Sequence, residues 1–262
     1  MNDTAPSRVR TAAGALLLGF LLLTCGIEDY IMLEQIPESN ITRTDASVGI
    51  RLPPMPTAGY FSNFVIYYRI YLSNSLQSGI ISSAVLGTIN PTLLSDYNAL
   101  EPYTRSDDST SVTAVISTLT GRNYYPLESL DSSGNNIIDR DIMYNASSTE
   151  ELKIEFGLSY IGGEYPGFGA PLLSRAGNVR LMHRSTGSGT FTIMPSGDRR
   201  FLVTPELLGT VPSTTVNHDV VSSSAMPANY AYMALYILAE GINDDLVPIY
   251  SRPTFVGVFL LQ

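Results

Sequence analysis

The chain has 262 residues, enough to bury a real core, and with 44% hydrophobic and 15% charged residues it is no disordered, solvating polymer. A net charge of -9 repels nucleic-acid phosphates and anionic surfaces, so no nucleic-acid partner is expected. One cysteine excludes an internal disulfide and a cysteine-built zinc cage, and two histidines leave little for a metal site; no CxxC, G-x-G-x-x-G or G-x-x-x-x-G-K-[ST] is present, so no cofactor is implied.

Residues 1–24 read as a secretory signal. Arg8 and Arg10 form a basic start, and Ala12 to Leu23 form an apolar segment interrupted only by small residues. At about 1.5 Å per residue that segment is too short to cross a hydrocarbon core of about 30 Å. It ends in Leu22-Leu23-Thr24-Cys25-Gly26, which contains the chain's single cysteine. This run resembles the lipobox of bacterial lipoproteins, in a relaxed form with Thr24 where Gly, Ala or Ser is usual, as in spirochaetal and treponemal lipoproteins. The resemblance implies that Cys25 is diacylglycerylated, becomes the first residue of the mature protein, and receives a further acyl chain such as palmitate on its amino group. Two or more chains hold a protein stably on a membrane, at about 0.8 kcal/mol per buried CH₂. Ile27 is not the Asp that retains enterobacterial lipoproteins at the inner membrane, so a cell outer membrane location is permitted. The plainer alternative is an ordinary signal followed by a lone buried thiol.

In the mature part, residues 25–262, a strand is expected at Val48 to Leu52, stopped by Pro53-Pro54. Phe64 to Leu72 is the strongest strand. Phe64, Ile66, Tyr68, Ile70 and Leu72 form a core face, and Val65, Tyr67, Arg69 and Tyr71 form an aromatic, partly wet face. Between about 75 and 125 the period changes. Asn90-Pro91 predicts a capped helix start with Leu93, Leu94, Tyr97 and Leu100 on one face. Val112, Val115, Ile116 and Leu119 predict a second helix, capped by Ser109 or Thr110 and ended by Gly121. Strands return at Leu152 to Phe156, at Val179 to Arg184 with Thr190 to Met194 as a hairpin, and at Arg200 to Thr204. Two long strands, Tyr230 to Ala239 and Thr254 to Leu261, close the chain across Gly241 to Asp245. The fold expected is mainly β, an antiparallel sandwich with a helical insertion.

Tyr230-x-Tyr232-x-Ala234-x-Tyr236, then Gly241, then Ser251-x-Pro253, resembles the last two strands of a fibronectin type III or Ig-like domain. The resemblance implies that Phe64 to Tyr71 is the third strand and Val48 to Leu52 the second. The chain departs from that family in lacking any tryptophan and in the long spacer between the matched strands.

Few residues carry chemistry. His218-Asp219 offers an oriented imidazole, the hydrolase reading, without a G-x-S-x-G elbow to present a serine. His183, inside a strand, reads as a structural histidine. Asp131 to Asp141 clusters oxygens as a calcium loop does, but its glycine stands fourth rather than sixth and no glutamate closes it, so a polar turn is the simpler reading. Tyr67, Tyr71, Tyr232 and Tyr236 serve either as a face for a protein or carbohydrate ligand or as cross-strand packing. The expected function is a lipid-anchored envelope binding module. The alternatives are a periplasmic accessory subunit of an envelope complex and, last, a hydrolase using His218 and Asp219.

Overall fold

The computed structural model describes residues 33–53, 61–105, 112–130, 136–137, 150–156, 171–184, 201, 207–209, 218–222 and 227–261. In chain order the strands and helices are β1 (Ile41–Arg43), β2 (Ser47–Ile50), β3 (Phe61–Ser73), α1 (Leu86–Ile89), α2 (Pro91–Arg105), α3 (Val112–Gly121), β4 (Tyr125–Pro126), β5 (Ser129–Leu130) and β6 (Asn136–Ile137). They continue with β7 (Leu152–Glu155), β8 (Leu172–Arg175), β9 (Asn178–Leu181), β10 (Val220–Val221), β11 (Tyr230–Ile242), β12 (Pro248–Tyr250) and β13 (Thr254–Leu261). The protein is mainly β, with largely antiparallel sheets and a helical segment inside the predicted insertion.

Two sheets organise the strands. One runs β1-β2-β7-β8-β9; the other runs β10-β3-β11-β12, with β13 also paired to β11 and β4 to β3. The spine is the antiparallel pair β3–β11, in register from Ser73↔Tyr230 to Asn63↔Glu240, with a shift before Phe61↔Gly241. Its alternation decides the layering. Phe64, Ile66, Tyr68, Ile70 and Leu72 of β3 share one hydrophobic core with Ile41, Val48, Ile50, Leu152, Ile154 and Leu173 of the other sheet. Each such fully buried aliphatic or aromatic side chain contributes about 1.5–3 kcal/mol.

The opposite face is not wet, contrary to the sequence expectation. Val65, Tyr67 and Tyr71 join Leu86, Ile89, Leu93, Leu100, Val115 and Leu119 of the helices in a second core. The central sheet is thus covered on both faces, and the insertion is its second lid. The Arg69 side chain, expected at a water boundary, is only 11% exposed.

The helix boundaries follow from local chemistry. Asn90 caps α2: its Oδ1 accepts the Thr92 N–H at 2.9 Å, and Pro91 takes the first helical position. Helix α3 ends on a different residue from the one expected. Asn123, with φ 57°, takes the left-handed position; its N–H reaches the Thr120 carbonyl at 2.9 Å, and the Tyr124 N–H reaches Leu119 at 3.0 Å. That is a Schellman motif in which asparagine plays the part predicted for Gly121. The pairing of β9 is also new. Its partner is β8, across Ala176-Gly177 with φ 51° and 79°, the two positive angles that a two-residue hairpin turn needs. The expected partner at 190–194 lies outside the described residues, as do 200 and 202–204 of the strand expected at 200–204.

Candidate functional site

The tyrosines do not line an open face. Tyr71 pairs with Tyr232 and Tyr67 with Tyr236 across β3–β11, all four on the helix-covered side and all at most 9% exposed. Packing accounts for them. Tyr232 Oη also latches the loop after β3, donating to the Ser75 carbonyl at 2.9 Å and accepting the Gln77 N–H at 2.7 Å.

Under the helices lies an ion network that the sequence did not announce. Asp96 of α2, itself 1% exposed, accepts Arg69 Nη1 at 2.5 Å, Arg122 Nη1 at 2.5 Å and Tyr71 Oη at 2.6 Å. Tyr71 uses its one proton on Asp96, so Tyr124 Oη donates to Tyr71 at 2.9 Å. The Arg69 guanidinium sits 5.5 Å from the centre of the Tyr71 ring, a favourable cation–π distance. Burial, reinforced by the neighbouring Asp96 charge, pushes the Tyr71 phenol well above its ordinary pKa. Burial likewise raises Tyr124 and Tyr236. The network joins Arg122, directly after α3, and Asp96 in α2 to β3, and so ties the helical layer to the sheet.

Of the His218-Asp219 pair, the aspartate is engaged by residues remote in sequence. Asp219 is fully buried and bound by Arg184: Arg184 Nε donates to Oδ2 at 2.7 Å and Nη2 to Oδ1. Tyr68 Oη adds a third bond to Oδ2 at 2.9 Å. The carboxylate therefore answers a buried guanidinium and neutralises it inside the core. Its backbone carbonyl accepts the Ile70 N–H at 2.8 Å and aligns β10 beside β3. His183 is buried, and its backbone forms a bridge with Glu128. No trio of His, Cys, Asp or Glu able to hold a metal ion occurs among the described residues. Of the Asp131 to Asp141 cluster only Asn136 and Ile137 belong to the described residues, and Cys25 lies outside them.

The open chemistry lies at the two ends of the central sheet. At one end the β11–β12 connection exposes Ile242 (47%), Leu246 (82%) and Val247 (52%). Asn243 braces that tip, its Oδ1 accepting the N–H groups of Asp245 at 3.1 Å and Val247 at 2.8 Å, and Leu246 is held at φ 61°. At the other end the loop after Ser73 exposes Leu76 and Ile80.

The N-terminal segment is pinned along β13. Gln35 Nε2 donates to the carbonyls of Pro253 at 3.0 Å and Thr104 at 3.1 Å, and Thr254 Oγ1 donates to the Ile36 carbonyl at 2.5 Å. Arg43 donates to the carbonyls of Val256 at 2.6 Å and Phe255 at 2.8 Å, which blunts an edge strand. No described helix is long and apolar enough to cross a membrane. No protein-family model matches the chain, and neither curated proteins nor solved structures give a match to it.

Proposed function

We propose that the protein is a lipid-anchored cell-envelope lipoprotein of the spirochaetal type, whose globular part is a binding module. The observation that carries this is the placement of the only cysteine directly after Leu22-Leu23-Thr24, at the end of a short apolar segment. Among the described residues, the carboxylate and phenols that sequence reading offered to chemistry are engaged in packing and ion pairs, which favours binding over hydrolysis.

The fibronectin or Ig-like reading of the sandwich has support in strand adjacency. Such sandwiches set strands A, B and E in one sheet and C, F and G in the other. Assigning β1, β2 and β7 to the first set and β3, β11 and β13 to the second fits the observed order. The helical layer then falls between C and E, and β8 to β10 fall between E and F. The tyrosine-bearing face is closed, so ligand contact goes to the loops at the ends of the sheet. The loop after Ser73, with Leu76 and Ile80, is the favoured end.

Metabolic labelling with a fatty-acid probe tests the anchor: wild type takes the label and Cys25→Ala does not. Equal labelling of the two defeats the reading. Protease treatment of intact cells then separates a surface binder, which is removed, from a periplasmic accessory subunit, which is spared. Turnover of an ester or glycoside panel that disappears in His218→Ala would return the protein to the hydrolases.

A further inference from the structure

Gln35 joins parts of the molecule that the secondary structure leaves separate. Its neighbours Leu33 and Ile36 are buried in the core between the two sheets. Its own side chain instead reaches the helical layer. Nε2 donates to the Thr104 carbonyl at 3.1 Å and to the Pro253 carbonyl at 3.0 Å, with Thr254 Oγ1 at 3.3 Å. Thr254 Oγ1 in turn donates to the Ile36 carbonyl. Residues 33–36 therefore pass the start of β13 with a grip on both cores.

The end of α2 that they grip needs holding. A helix leaves its last carbonyls without intrahelical partners. The Thr104 carbonyl is one of these, and the donor it receives lies 69 positions away. Pro102 adds no N–H to the ladder in the same turn, which weakens the helix there. The first half of α2 has its own fastening, since Asp96 is bonded by Arg69 and Tyr71 of β3. The second half rests on β13: Tyr97 meets Phe255 edge to face at 5.0 Å, and Phe255 packs on Tyr236 at 5.1 Å. Arg43 of β1 holds the backbone under that contact through the Phe255 and Val256 carbonyls.

We infer that residues 33–36 form a strap that closes the second half of α2 over Tyr236, and that slackening it opens this half-helix while both sheets and the Asp96 network stay folded. Access to the buried tyrosine face then depends on the hold of the N-terminal segment. This hold is independent of any lipid on Cys25.

Hydrogen exchange of the full chain, read by mass spectrometry of its peptides, tests the strap. Gln35→Ala removes the donor at Thr104 and Pro253. Amides from Tyr97 to Thr104 should then exchange about five- to tenfold faster, the worth of one to two hydrogen bonds, while those of β3 and β11 keep their rates. Gln35→Glu sets an acceptor against the same carbonyls and should act at least as strongly in the same place. Leu33→Ala separates a strap from a simple helix cap, because Leu33 belongs to the other core. It too should speed exchange from Tyr97 to Thr104, by more than any change in β3. Nitration of tyrosines reads the face beneath: Tyr236 should react several-fold faster in Gln35→Ala, and Tyr68, in the core between the sheets, should not.

Unchanged exchange in Gln35→Ala overturns the strap. A rise shared equally by β3 and β11 overturns it as well, since the segment then only adds to global stability. An effect of both Gln35 variants with none from Leu33→Ala reduces Gln35 to a cap on α2 and removes the transmitted hold. Faster exchange with Tyr236 still unreactive overturns the closure over that residue.

Discussion

Arg184 and Asp219 form a buried bidentate ion pair whose side chains are 6% and 0% exposed. It lies where β10 meets β3, beside the Tyr68 hydroxyl that completes it. Removing one partner strands the other charge in the core, which costs more than the pair's own attraction is worth. Asp219→Asn should therefore lose about 3 kcal/mol in urea unfolding. The double replacement Arg184→Met with Asp219→Leu removes both charges and should recover most of that loss. If Asp219→Asn left stability unchanged, the carboxylate would be free for a catalytic task.

Asp96 makes the same argument between layers. One carboxylate answers two guanidiniums and a phenol: Arg69 and Tyr71 come from β3, and Arg122 from the residue that follows α3. Asp96→Asn should cost about 3 kcal/mol, since two positive charges then share a neutral group. Tyr124→Phe removes one hydrogen bond at the end of the chain of donors and should cost about 1 kcal/mol. A double-mutant cycle on Tyr71→Phe and Asp96→Asn should give clear non-additivity.

The core between the two sheets was legible because alternation at period two is strict in Phe64 to Leu72, and the helices because Asn90-Pro91 caps the one and the 112–119 repeat carries the period of the other. The covering of the second face was not legible. Tyr67 and Tyr71 have amphipathic side chains that suit a wet face or a buried one, and the local sequence does not say which. Arg69 and Asp96 stand 27 positions apart, and Arg184 and Asp219 stand 35 apart. Such pairs have no spacing rule to find them by. Asp219 drew attention through its neighbour His218, whereas its real partner is remote in sequence. The lipidation proposed at Cys25 rests on the sequence pattern alone.

Alkaline pH should undo the second core. Tyr71, Tyr124 and Tyr236 have phenols raised above the ordinary value of about 10, chiefly by burial. In the unfolded chain they ionise near pH 10, so the unfolded state binds fewer protons there and gains relative to the folded one. The stability these groups contribute is fully present below about pH 10 and is lost as pH rises towards their folded values. The slope is about 1.4 kcal/mol per pH unit for each tyrosine ionised only on unfolding. With no tryptophan to overlap, the phenolate absorption band should rise in two stages, the second coincident with loss of the far-ultraviolet signal. A single stage near pH 10 with structure retained would contradict the burial of these three.

Two left-handed residues predict changes of opposite sign. Asn123 at φ 57° closes α3, and asparagine is the residue besides glycine that tolerates this conformation. Asn123→Ala should destabilise by about 1 kcal/mol, and Asn123→Gly should be close to neutral. Ala176 at φ 51° occupies the first position of the β8–β9 turn, where an alanine carries the steric cost and the preferred sequence is Asn-Gly. Ala176→Asn should therefore stabilise the protein by about 1 kcal/mol. The turn joins Arg175 to Asn178 with no residue to spare, so a longer or shorter loop would shift the register of β9 against Leu172 and Leu173. Thermal melts of the three variants check both signs; stabilisation by Asn123→Ala would mean that α3 ends elsewhere.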